Sequence, residues 1–146
     1  MVKVREITEV KEDELRSLNN LLPQLSKSAK PLNSDQFSTI VNSDSTRLYF
    51  AEEDGVILGT LSLVIFPIPT GLKCWLEDVV VDLDARGRGI GKLLILFALE
   101  EAQRMHAQTV NLTSRPNRET ANKLYQSVGF ETRQTNVYRF KNSYAF

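Results

Sequence analysis

Cysteine and histidine each occur once in this chain, and neither sign of charge outnumbers the other. The single thiol, Cys74, excludes an internal disulfide framework and any multi-cysteine metal site. It reads as a small apolar strand residue rather than a nucleophile. Histidine-assisted nucleophilic catalysis would rest wholly on His106, which follows Arg104-Met105 at a helix end and reads as a capping or surface residue. Lysine plus arginine and aspartate plus glutamate both number 18, so there is no net field and a general nucleic-acid binder is disfavoured. Long hydrophobic runs are missing as well: no N-terminal stretch reads as a signal peptide, and none approaches a membrane span. The expectation is a soluble, cytoplasmic protein with no metal, nucleic-acid or membrane partner. At 146 residues, the chain can bury roughly two thirds of its unfolded surface, and one domain over residues 1–146 is expected.

What is present is a readable series of elements. Val2, Val4 and Ile7 suggest a first strand, and Leu15, Leu18, Leu21 and Leu22 mark a helix over residues 12–22 that Pro23 should stop. A polar loop over 26–33 follows, then a short helix with Phe37, Ile40 and Val41, which Ser34 can cap. Strands over 48–52 and 56–66 flank a tight Glu53-Asp54-Gly55 turn, with Gly59 a bulge. The strand over 73–82 contains Val79-Val80-Val81, apolar enough to be buried on both faces. A long helix from Gly89 to about Met105 precedes a strand over 109–113. Asn117 should cap a helix reaching about Val128, closed by Gly129, and 130–133 and 137–140 should end the chain as a strand pair. The order β-α-α-β-β-β-α-β-α-β-β predicts an α/β (α+β) fold. Its sheet is mixed, mostly antiparallel and of about seven strands, with helices on both faces and strand 73–82 parallel to 109–113.

The densest chemical signal is the run Arg86-Gly87-Arg88-Gly89-Ile90-Gly91-Lys92, between the Val79–Val81 strand and the apolar helix that begins Leu93-Leu94-Ile95. Its glycines leave backbone N–H groups uncovered where a helix starts, so amides and helix dipole converge on one spot beside three cations. That is a receptor for a phosphate-bearing ligand. It is not a P-loop: Leu93 follows Gly91-Lys92 where a magnesium-binding hydroxyl would stand, and Arg86 occupies the place of the first glycine. Nor is it the dinucleotide fingerprint, whose third glycine would fall on Lys92.

The spacing Arg86-x-x-Gly89-x-Gly91 behind a valine-rich strand resembles the acyl-coenzyme A motif of the GNAT family of N-acetyltransferases. Asn117 to Tyr125, followed by Gly129-Phe130, is similar to the family's second signature. Residues 73–133 carry the specific similarity. The resemblance implies that acetyl-CoA is the co-substrate, its pyrophosphate held by the amides of residues 86–92 and its pantetheine arm paired along Val79, Val80 and Val81 where two parallel strands part. It also implies that Asn117, Ala121 and Tyr125 face the donor, with the Tyr125 hydroxyl near the thioester sulfur. If helix runs through all three, they share one face within about 80°. On residue pattern alone, Tyr125 equally fits an amphipathic core.

Acetyl transfer to an amine needs a base, an oxyanion donor and a proton for the leaving thiolate. Tyr125 is the candidate acid, backbone N–H groups of Val79 or Val80 the candidate oxyanion donors, and Glu77 the candidate base or amine holder. Side-chain alternation predicts Glu77 and Asp78 on opposite sheet faces; both are candidate acceptor-binding residues. The expected acceptor is the primary amine of a small molecule, a protein amine being the runner-up. A non-catalytic coenzyme A-binding regulatory module is the alternative of another class. The resemblance also allows a homodimer built through residues 132–140.

Overall fold

The protein was analysed as a computed structural model that describes residues 1–143. It comprises two compact units, Met1–Thr113 and a smaller one from Ser114 onward.

The first unit contains β1 (Lys3–Glu6), α1 (Glu12–Leu25), α2 (Ser34–Val41), β2 (Thr46–Glu53), β3 (Val56–Ile68), β4 (Gly71–Val81), α3 (Ile90–Arg104) and β5 (Thr109–Asn111). The five strands lie in sheet order β1-β2-β3-β4-β5, antiparallel except for the parallel β4–β5 pair. Asp54 and Gly55 take φ of +51° and +79°, the left-handed pair that a two-residue hairpin turn demands. Alternation along β2 sends its side chains to two helical layers. Leu48 and Phe50 pack with Ile7, Leu15, Leu18 and Phe37 beneath α1 and α2. Tyr49 points the other way and meets Phe97 of α3 edge-on, with ring centroids 5.2 Å apart. The mixed sheet with helices on both faces is therefore as expected, and no helix among the described residues is long and apolar enough to cross a membrane.

Gly59 is where α3 meets the sheet. The β2–β3 register slips beside it, between Ala51 and Glu52, as its expected bulge requires. A Cβ there would lie 3.1 Å from the Val80 carbonyl oxygen and 3.2 Å from Leu94 Cδ1. The missing side chain leaves room for Ile90 and Leu94, and Ile95, Ala98 and Ala102 are buried along the same helix.

Several expected boundaries differ, each for a local reason. Pro23 lies inside α1 instead of ending it. It forfeits its own bond to the Asn19 carbonyl, but only two residues follow, and the Ser26 N–H still reaches the Leu22 carbonyl at 3.0 Å. Asn33, not Ser34, caps α2: its Oδ1 accepts the Gln36 N–H at 2.8 Å, and Gln36 Oε1 accepts the Asn33 N–H at 2.9 Å. That reciprocal pair satisfies two backbone donors where a lone serine would satisfy one.

The second unit holds α4, Glu119–Ser127, with Arg118 rather than Asn117 at the N-cap. Arg115-Pro116-Asn117-Arg118 forms a turn closed by the Arg118 N–H on the Arg115 carbonyl at 3.1 Å, and proline at its second position favours that turn. Gly129 follows α4 with φ +110°. The expected strands at 130–133 and 137–140 are not formed among the described residues, so the sheet has five strands, not about seven. Residues 131–136 carry no large apolar side chain, and Val137, Tyr138 and Phe140 are 72%, 87% and 88% exposed. A two-stranded hairpin with so little to bury does not hold alone in water. The segment linked above to a homodimer is this exposed stretch.

The Gly59 contact predicts that Gly59→Ala, which drives a methyl against backbone oxygen and the α3 side chains, destabilises the protein by about 1–3 kcal/mol. Urea unfolding of the two proteins measures it.

Candidate active site

Parallel pairing between β4 and β5 consists of Lys73 with Thr109, Cys74 with Val110 and Trp75 with Asn111, and there it stops. β4 continues to Val81, still paired to β3. From Leu76 to Val81 its other edge has no strand partner among the described residues, leaving backbone groups that can take an amide-bearing ligand as a further strand.

The same stretch carries a bulge. Ser62 faces Glu77 and Thr60 faces Val80, so Leu61 alone stands opposite both Asp78 and Val79. Asp78 has φ +52°, a left-handed conformation that aspartate visits more readily than most residues. Before the bulge the register is regular. Trp75 and Glu77 oppose Val64 and Ser62 on the α1–α2 side, while Leu76 opposes Leu63 on the α3 side. Past Glu77 the bulge breaks the alternation that would separate Glu77 from Asp78. Instead the two carboxyls interact: burial, then the Asp78 charge, pushes the Glu77 carboxyl up, and burial pushes Asp78 up. Both residues are surface-exposed, so the effect is partial enclosure by neighbouring protein rather than a core position.

Beyond Val81 the chain is pinned. Asp82 N–H donates to the Leu58 carbonyl at 2.8 Å, and Leu83 N–H donates to Gln24 Oε1 of α1 at 2.8 Å. The glycine turn follows. Gly87 and Gly89 have φ of +82° and +77°, and apart from their immediate chain neighbours no atom of the described residues lies within 4 Å of where a side chain would begin on either. Packing therefore does not select these glycines; the backbone conformation and open access to the amides do. α3 starts at Ile90 with no side-chain cap and no acid in its first turn, which leaves its amides and dipole to a ligand.

The cations are placed unequally. Arg86 turns back, its Nε donating to the Val81 carbonyl at 3.1 Å. Arg88 Nη2 is 2.8 Å from Glu53 Oε1 at the end of β2. Exposed Lys92 forms no ion pair among the described residues.

In the second unit Ala121 and Tyr125 are one turn apart on α4, but Asn117 is exposed in the preceding turn. The expected three-residue helical face is thus a two-residue one. Tyr125 is buried, with its ring edge-on to Phe130 at a centroid separation of 6.0 Å. Burial pushes its hydroxyl up, with Arg118 opposing weakly, so the phenol keeps its proton at neutral pH.

Sequence reasoning missed Glu53, Gln24 and the backbone state of Asp78. Glu53 reaches Arg88 in the turn and Gln24 reaches Leu83 just before it, from 35 and 59 residues away in sequence, and no spacing signals that. The Asp78 bulge has no glycine to announce it.

A parted sheet edge running into a glycine turn at a helix start presents backbone donors and acceptors of the kind that suit a phosphate-bearing, amide-bearing ligand. The chain belongs to the acetyltransferase (GNAT) family, whose model matches residues 9–130. No curated protein sequence matches it. Among solved structures it is similar to an acetyltransferase of Trypanosoma brucei (27% identity, 97% of this chain and all of that one covered, TM-score 0.80). A glucosamine-6-phosphate N-acetyltransferase of Arabidopsis thaliana is similar too (23%, 97% and 99%, TM-score 0.81). So is the aminoglycoside acetyltransferase AAC(6')-Iy bound to a coenzyme A bisubstrate analogue (19%, 97% and 99%, TM-score 0.79).

Two consequences follow for stability. Asp78→Val, a branched residue forced to positive φ, lowers stability by about 2 kcal/mol in urea unfolding, while Asp78→Gly stays within about 1 kcal/mol of wild type. The folded state holds the Glu77 proton more tightly than the unfolded state, so wild type loses stability as pH climbs above the ordinary value of 4.5. Glu77→Gln does not ionise there. Its melting temperature therefore gains on wild type between pH 4 and pH 7; an unchanged gap would refute this.

Proposed function

We propose that this protein is an acetyl-CoA-dependent N-acetyltransferase that moves the acetyl group directly to a primary amine of a small molecule. The observation that carries the reading is the unpaired β4 edge, Leu76–Val81, leading into the left-handed glycines at the start of α3. Coenzyme A has the matching parts in the matching order: an arm with two amides, then a pyrophosphate. In this reading Val79, Val80 and Val81 pair with the arm, and the amides of residues 86–92 take the pyrophosphate, with Lys92 the cation least engaged elsewhere. The AAC(6')-Iy neighbour bound a coenzyme A analogue, which supports the donor. The family match spans both compact units, which supports one acetyltransferase domain over residues 1–146.

The neutral amine attacks the thioester carbonyl and a tetrahedral oxyanion forms. A backbone N–H of Val79 or Val80 is its donor, and the bulge at Asp78 supports this by turning the strand out of its regular ladder. Glu77, directly or through water, accepts the proton the amine sheds, and its raised affinity for protons suits it to that role. The carbon–sulfur bond then breaks, and the thiolate takes the Tyr125 proton. Glu77 and Asp78 also favour a cationic acceptor. The neighbours' acceptors, an aminoglycoside and an amino-sugar phosphate by their names, support a small molecule over a protein amine.

Release of free thiol from acetyl-CoA across a panel of amines tests the reading. Wild type is expected to turn over at least one small amine. Tyr125→Phe is expected to bind acetyl-CoA normally while losing roughly 10²-fold or more in kcat. Binding without turnover on any amine would instead make the protein a coenzyme A-binding module.

A further inference from the structure

Resting on that reading, we propose that Glu53 is a positioning residue for the donor: it holds the Arg88 guanidinium at the glycine turn, where its remaining donors meet the pyrophosphate. Arg88 stands between Gly87 and Gly89, both left-handed and open to solvent, so its own backbone does little to direct a long side chain. The direction comes from Glu53. This is the last residue of β2, facing Val56 across the Asp54-Gly55 turn, and the hairpin is a rigid support. Its Oε1 lies 2.8 Å from Arg88 Nη2, and its Oε2 lies 3.3 Å from the Met1 amine, so one oxygen is committed to each cation. These partners hold the Glu53 carboxyl below its usual range, so it is charged at neutral pH.

A guanidinium has five N–H donors in a fixed fork. A single contact from Nη2 leaves most of them for phosphate oxygens and keeps the guanidinium at the turn. Arg86 differs in its partner: its Nε donates to the Val81 carbonyl, and no carboxylate among the described residues pairs with it. A carboxylate beside an anion site repels the ligand, and α3 itself carries no acid in its first turn. Glu53 is tolerated there because its charge is spent on ordering Arg88.

Acetyl-CoA titration and steady-state kinetics of Glu53→Ala, Glu53→Gln, Arg88→Ala and the Glu53→Ala/Arg88→Ala double variant separate the outcomes. Glu53→Ala is expected to weaken acetyl-CoA binding and raise its KM by about fivefold to tenfold, with kcat at saturation within about twofold. Glu53→Gln, whose amide oxygen still accepts the arginine N–H, returns to within about threefold of wild type. In the Arg88→Ala background the alanine at 53 adds nothing. Tighter or unchanged binding in Glu53→Ala overturns the proposal, as does an equal loss with and without Arg88. If wild type itself fails to bind acetyl-CoA, the acetyltransferase reading falls and this inference with it.

Discussion

Among the described residues only three pairs join β5 to β4, and the shape of the first unit's open sheet edge follows from that number. A sheet edge inside a protein is ordinarily either continued or blunted, because its unpaired amides and carbonyls seek partners. Here β5 ends at Asn111 while β4 runs on to Val81. The neighbouring elements hold that edge in place. β3 pairs along the opposite side, and Gly59 lets α3 seat against the strands and bring its first turn to the end of β4. The Asp82 and Leu83 amides are tied to Leu58 and Gln24, so the chain leaves the strand in one defined direction.

Electrostatics at this end is more balanced than the run of cations implies. Two arginines and a lysine lie in the turn, yet Arg86 is folded onto a carbonyl and Arg88 onto a carboxylate. What the turn offers an anion is therefore chiefly its oriented backbone amides and the uncapped start of α3. The acidic pair acts in the opposite sense. Glu77 and Asp78 hold protons more tightly than ordinary carboxyls because protein partly encloses them, and Glu77 also because of its neighbour. Such groups are a liability for stability and an asset for taking a proton from an amine.

Much of this was legible in the residues. Asp54-Gly55 announces its hairpin, the valine run its strand and the apolar stretch after Gly91 its helix, because each is written in local conformational preference or periodicity. The glycine spacing also excludes two rival phosphate loops. What escaped was decided by competition or by distance. Asn33 and Gln36 out-bond Ser34 at the α2 cap, and the turn around Pro116 removes Asn117 from α4. Val137, Tyr138 and Phe140 alternate as a strand would but find nothing to bury against. The left-handed Asp78 and the Glu53–Arg88 pair depend on partners across the sheet that no local pattern records.

On the function proposed above, the unpaired β4 edge and the glycine turn together hold an acyl-coenzyme A. Backbone amide chemical shifts recorded during titration with coenzyme A test it residue by residue. Saturable shifts are expected at Val79–Val81 and Gly87–Gly91, with β1 and the β2 strand interior unmoved. Shifts confined to other parts of the chain, or none at saturating coenzyme A, would contradict it.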